Sequence, residues 1–183
     1  GIGWQREEYG AAGLDFGTRG RLLDHSLEVC QTLWREERGS YQSPELSFDA
    51  IHSMPKPVQP GGVPIWVSGR CNERVARRLA RFGSGWIPWG DDAADPVASI
   101  PRMRAAVDAA GGDAAPLSVL APLALHWGAD TLLDLDLTMD GVLPLAAAGV
   151  TDFLVHLRVP ESFAGAEDAF GALVEAFKVA TGS

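Results

Sequence analysis

Short apolar runs alternate with helical patterns along this chain, and most of the switches between them are marked by glycine or by a helix-capping residue; that alternation limits the fold more than any other feature. The run Val63-Pro64-Ile65-Trp66-Val67-Ser68 predicts a strand over 63–68 that is covered on both faces. After a Ser68-Gly69 turn the spacing becomes helical, with Val75, Ala76, Leu79, Ala80 and Phe82 inward, until Gly83-Ser84-Gly85 stops it. Trp86-Ile87-Pro88-Trp89 reads as a second short strand. Asp95 then supplies an N-cap and Pro96 a first-turn proline for a helix that carries Val97, Ile100, Met103 and Val107 inward and ends at Gly111-Gly112. Residues 117–125 form a third expected strand, 131–148 a helix closed by Gly149, 151–157 a fourth strand and 165–181 a last helix.

Upstream of this series the pattern is less regular. Gly1 to Gly3 reads as the end of a strand, residues 4–17 as an acidic and aromatic loop, and a helix runs from about Thr18 to Arg35 on a stripe of Leu22, Leu23, Leu27, Cys30, Leu33 and Trp34. Short alternating stretches surround Tyr41 and residues 46–48, and Pro55, Pro57 and Pro60 exclude a helix and a central strand. Residues 39–62 are therefore expected to be an irregular insertion before the 63–68 strand, within a single domain spanning 1–183.

Such an order of elements is α/β and implies right-handed crossovers onto a parallel sheet. An open doubly wound sheet and part of a (β/α)8 barrel of the TIM type both fit it, the complete barrel needing ~250 residues. The regularity favours the barrel, here incomplete. The opening Gly1-Ile2-Gly3-Trp4, without Met, reads as a truncated start. Half a barrel leaves parallel edges unpaired, and exposed edges seek partners. A homo-oligomer, a swap of elements or pairing with a missing N-terminal portion is expected.

Composition narrows the functional classes. The 183 residues are 46% apolar, enough for a sizeable core, and a net charge of −9 disfavours nucleic acid and anionic membrane as partners. No apolar run reaches the ~20 residues that span a bilayer, and Cys30 and Cys71 form no disulfide framework, so a reducing cytoplasm is the expected location. Neither a metal-ligand cluster, a Ser-His-Asp set nor a GxxxxGK phosphate loop is present, which argues against hydrolase and NTPase chemistry.

Several groups of residues then resemble one family. Gly1-Ile2-Gly3-Trp4-x-Arg6-Glu7-Glu8-Tyr9, followed by Arg19-Gly20, Leu23-Asp24 and Leu33-Trp34, is similar to the bacterial luciferase-like monooxygenases. Residues 55–60 (PKPVQP), 64–69 (PIWVSG) and 77–86 (RRLARFGSGW) fall in that family's order and spacing, most like the branch that uses a deazaflavin coenzyme. The resemblance implies a (β/α) barrel containing the end of strand 4 through helix 8. It also implies an FMN or deazaflavin cofactor at the C-terminal face and a small-molecule substrate. Carried over by motif, the phosphate end of the cofactor would meet Ser68, Gly69, Arg70, Cys71 and Asn72, with Gly83, Ser84 and Gly85 beside them. Arg70 stands where the family often has a second Gly, and either strengthens phosphate binding through a charge-assisted fork or obstructs it.

Other residues are weighed against plainer roles. The 68–72 loop is either a phosphate site or a connector with a helix cap, since the carboxyl end of a parallel strand and a helix N-terminus form a natural anion seat. Trp86 and Trp89 can stack on a planar ring or pack, and Gly3 and Trp4 can line a cofactor face or fray. His126, expected after the third strand, and His156, expected within the fourth with Arg158 beyond it, sit where barrel enzymes keep catalytic groups, but a lone His is more often structural. Glu7 and Glu8 read as a solvated acidic loop, the alternative being one general acid or base near the pocket mouth, and His25 and His52 as surface or loop residues. No catalytic residue is assigned. The expected function is a flavin- or deazaflavin-dependent oxidoreductase or monooxygenase. The alternative is a non-catalytic half-barrel that binds a phosphate-bearing ligand or only self-associates.

Overall fold

A computed structural model describes residues 1–182 of the chain, which fall into two compact units that meet in sequence between Ile65 and Trp66. The N-terminal unit contains α1 (Arg6–Ala11), a 3-10 turn (Phe16–Thr18), α2 (Arg19–Arg35) and an antiparallel hairpin of β1 (Gly39–Gln42) and β2 (Ser47–Ile51). Asp15 starts the turn by accepting the Gly17 N–H at 2.9 Å, and the Arg19 guanidinium lies 3.8 Å above the Phe16 ring. At the other end of α2, the Lys56 ammonium donates to the Leu33 carbonyl at 2.7 Å and also to that of Glu36. A cation on these last carbonyls satisfies acceptors that the helix leaves open.

Three expectations are corrected in this unit. Gly1 to Gly3 lies in no strand, and Gly3 turns the chain at φ +71°. The 4–17 loop contains α1, and the stretch expected to be irregular contains the hairpin. The prolines that exclude a strand begin at Pro55, after β2 has ended. The hairpin is held to α2 by Tyr41, whose hydroxyl donates to Glu28 Oε2 at 2.7 Å, and by His25 Nε2, 3.0 Å from Ser43 Oγ.

The second unit carries the alternating series. Its strands β3 (Trp66–Gly69), β4 (Gly85–Pro88), β5 (Ser118–Pro122) and β8 (Asp152–Leu154) form one parallel sheet in the order β3-β4-β5-β8, with no reversal. A doubly wound sheet reverses strand order at its switch point; sequential order is that of a barrel segment. The connections carry α3 (Glu73–Phe82), α4 (Asp91–Ala94) and α5 (Pro96–Ala109), then an antiparallel ribbon of β6 (His126–Trp127) and β7 (Leu133–Asp134), then α6 (Leu135–Met139) and α7 (Val142–Ala148); α8 (Phe163–Thr181) follows β8.

Register and the two-residue period of a strand sort the side chains. Val67, Trp86 and Val119 lie side by side, as do Ala121 and Phe153, and of these only Phe153 is not fully buried. They form the sheet's share of the core. Val75, Leu79 and Phe82 of α3 and Ile100, Met103 and Val107 of α5 are buried as well. Trp66, Ser68, Ile87, Leu120 and Leu154 alternate onto the opposite face, none of them fully buried. One face therefore carries the packed core of the unit.

Element boundaries depart from expectation in ways the residues explain. The strand expected at 63–68 begins only at Trp66, and the one expected at 117–125 ends at Pro122, after which His126 enters the ribbon. The single helix expected over 131–148 is two helices, because Pro144 cannot donate within a continuous helix but is tolerated in the first turn of α7. Asp134 caps the preceding helix by accepting the Leu137 N–H at 2.9 Å. Strand β8 stops at Leu154, so His156 lies beyond it.

Candidate functional site

Parallel strands deliver their carboxyl ends to one edge of the sheet, and the loops after β3 and β4 meet there. Gly69 ends β3 opposite Pro88 of β4. Trp86, with no exposed surface, donates its indole N–H to the Gly69 carbonyl at 2.9 Å and so fixes where the first loop begins. It works through Gly69 and presents no ring face to solvent; Trp89, 59% exposed at the end of β4, does.

The Asn72 side chain is the N-cap of α3. Its Oδ1 accepts the N–H groups of Arg74 and Val75 at 3.0 and 3.1 Å, and its Nδ2 donates to the Arg70 carbonyl at 3.0 Å. The Cys71 N–H donates to Asp92 Oδ2 at 2.7 Å. Asp92 is buried, its other oxygen accepts from Arg102 Nη2 at 3.2 Å, and its own carbonyl accepts the Ser99 hydroxyl at 2.8 Å. Three backbone donors that an anion would use at the head of this helix are thus already taken by the chain's own oxygens.

What remains outward is Arg70. Its Nη1 is 3.6 Å from Asp91 Oδ2, a pair whose side chains are 59% and 97% exposed, and such pairs add little stability. The guanidinium lies against Gly90, where an added Cβ would come within 2.9 Å of Nε and Nη2, and Gly90 itself has φ +61°. The loop after β4 thus leaves room for Arg70. Burial pushes the Cys71 thiol above its ordinary pKa; nearby Arg102 opposes the shift and Asp92 adds to it. A thiol held protonated is a poor nucleophile.

The other expected residues are placed elsewhere. Gly83 and Gly85 sit at the amino end of β4, where Gly85 pairs with Trp66. Gly85 and Pro88 are three residues apart along the strand, about 10 Å, so the expectation that Gly83, Ser84 and Gly85 lie beside the 68–72 loop is corrected. Their glycines serve packing, since a Cβ on Gly85 would meet the Trp66 ring at 2.5 Å and one on Gly83 the Leu79 side chain at 2.7 Å. Gly3 and the 74% exposed Trp4 belong to the N-terminal unit, as do Glu7 and Glu8 of α1. His126 and His156 are exposed, and His126 is placed by its backbone N–H, which donates to Thr138 Oγ1 at 3.0 Å. No group of acidic, His and Cys side chains that would hold a metal ion occurs among the described residues.

Asp92 was not legible in the sequence as a site residue. Its neighbours Asp91 and Asp95 look the same in the chain, and only the fold brings Asp92 to Cys71 across 21 positions.

Comparison with known proteins places this geometry. The profile of the luciferase-like monooxygenases matches residues 1–134. The chain belongs to the luciferase-like monooxygenase family. An uncharacterised protein of Mycobacterium tuberculosis is 30% identical to this luciferase-like chain over 155 residues, 84% of this chain and 48% of that protein. The F420-dependent glucose-6-phosphate dehydrogenase of Segniliparus rotundus is 29% identical over 126 residues, 68% of this chain and 37% of its own. The crystal structure of monooxygenase RslO1 from Streptomyces bottropensis superposes with a TM-score of 0.71 at 14% identity, covering 95% of this chain and 65% of that one. The fold is thus that of the luciferase-like barrels, and the chain spans about half the length of the curated relatives it matches. No helix among the described residues is long and apolar enough to cross a membrane.

Proposed function

We propose that this chain is part of a flavin- or deazaflavin-dependent oxidoreductase in which the β3–α3 loop receives the phosphate end of the cofactor through Arg70. The observation that carries the proposal is the exposed guanidinium at the carboxyl end of a parallel strand in a luciferase-like barrel, paired at the surface with Asp91. Arg forms planar, bidentate bonds to phosphate, and the catalytic groups of such barrels gather at this face.

The residues present fit a phosphate on the side-chain side of the loop. Arg70 would hold it, Gly90 leaves the guanidinium room, and Trp86 fixes the Gly69 end of the loop by its indole hydrogen bond. The bound cofactor would supply hydride or oxygen chemistry; the protein's part is binding, orientation and exclusion of water. The F420 dependence of the Segniliparus rotundus relative favours a deazaflavin over FMN.

Titration of the chain with FMN and with coenzyme F420, followed by quenching of tryptophan fluorescence, tests this reading. Saturable binding of either, tighter for F420, is expected. Binding of neither up to high micromolar concentrations rejects it.

A further inference from the structure

An anion seat at a helix head is defined by its free N–H groups, and in this loop three of them, those of Cys71, Arg74 and Val75, are committed. Asn72 takes two of them, and Asp92 of α4, which follows β4, takes a third. The Asp92 carboxylate is itself an anion. It is buried and both of its oxygens are engaged, one by the Cys71 N–H and one by Arg102, while Ser99 fixes its backbone. A buried carboxylate so paired is costly to strand, so its displacement by a solvated phosphate is unfavourable.

We propose that Asp92 is an internal anion that occupies the backbone seat at Cys71, so that an external phosphate is kept off that amide and meets the loop through the Arg70 side chain. Asp92 is a positioning residue: it joins the loops after β3 and β4, and by filling the amide seat it decides which group of this loop is left to meet a ligand. The first part of this inference stands without the cofactor reading; the second part rests on it.

Amide exchange and chemical shifts in the ¹⁵N-labelled chain test it with inorganic phosphate as the probe. In the wild type the Cys71 amide is expected to exchange slowly and to stay unshifted as phosphate is added, while the Arg70 side-chain Nε resonance moves. A saturable phosphate shift of the wild-type Cys71 amide overturns the proposal without any variant. In Asp92→Ala, the Cys71 amide is expected to exchange at least tenfold faster and to acquire a saturable phosphate shift; Asp92→Asn, which keeps an acceptor oxygen, is expected to retain most of the protection. Equal exchange in wild type and Asp92→Ala, with circular dichroism unchanged, also overturns it. Failure of FMN and F420 to bind rejects the cofactor reading alone and leaves the Cys71 measurements as the test of the internal anion.

Discussion

The indole N–H of Trp86 donates to the carbonyl of Gly69 across two neighbouring parallel strands at 2.9 Å, tying the most buried aromatic of the sheet to the last residue before the candidate loop. Core packing and loop geometry are therefore one arrangement. Trp86→Phe keeps an aromatic ring and removes the donor. A lost buried hydrogen bond costs ~1–3 kcal/mol, so the urea midpoint should fall by that equivalent, and cofactor or phosphate affinity should fall with it. A fall in the midpoint with unchanged affinity would separate the two.

Gly69 and Gly85 are glycines for packing reasons. A Cβ on Gly69 would lie 2.7 Å from Val75 Cγ2 in the first turn of α3. Gly69→Val therefore tests the packing of α3 before it tests any contact with phosphate. Overpacking costs ~1–3 kcal/mol, so Gly69→Val and Gly85→Ala should both lower the thermal midpoint. Native-like melting of Gly69→Val would show that α3 yields at no cost.

Cys71 should be a slow thiol. Burial raises its pKa, so at a given pH less thiolate is present than on an unfolded chain. Alkylation by iodoacetamide between about pH 7 and 9, around the ordinary thiol range, should be slower in the folded protein than in urea. The same shift links to stability. The folded state favours the protonated thiol, so its contribution is present below the ordinary thiol range and is lost as pH rises through the raised value. Faster labelling of the folded form would contradict the burial of this thiol.

A further prediction is self-association, for which the sheet gives the physical reason. Strands β3 and β8 end it, Leu154 of β8 is 41% exposed, and Phe163 and Val179 of α8 are more than four-fifths exposed. Unpaired edges and apolar surface favour a dimer or larger species. Sedimentation equilibrium should find one, and a monomer across the micromolar range would count against it.

Much of the second unit could be read from the chain because local signals agree there with the fold. Asp95-Pro96 opens α5 as expected, and the apolar spacing of α3 matches its buried residues Val75, Leu79 and Phe82. The split into α6 and α7 was signalled by Pro144, which the apolar pattern of the flanking residues obscured. Site geometry was less legible. The Gly83-Ser84-Gly85 segment follows the loop motif closely in sequence yet lies at the opposite end of the strand, because one strand length separates the two ends of a parallel sheet. The Asp92 to Cys71 bond is invisible to any local pattern, since it depends on the β3–α3–β4 crossover bringing the loops after two adjacent strands together.

The measurement that bears most directly on the central claim is the affinity of wild type and Arg70→Ala for F420 and FMN at low and high salt. Hydrogen bonds to a charged group contribute ~1.5–3 kcal/mol, so the account predicts a loss of tenfold or more in Arg70→Ala, a smaller salt dependence in the variant, and unchanged thermal stability. Equal affinity of the two proteins, at either salt, would contradict it.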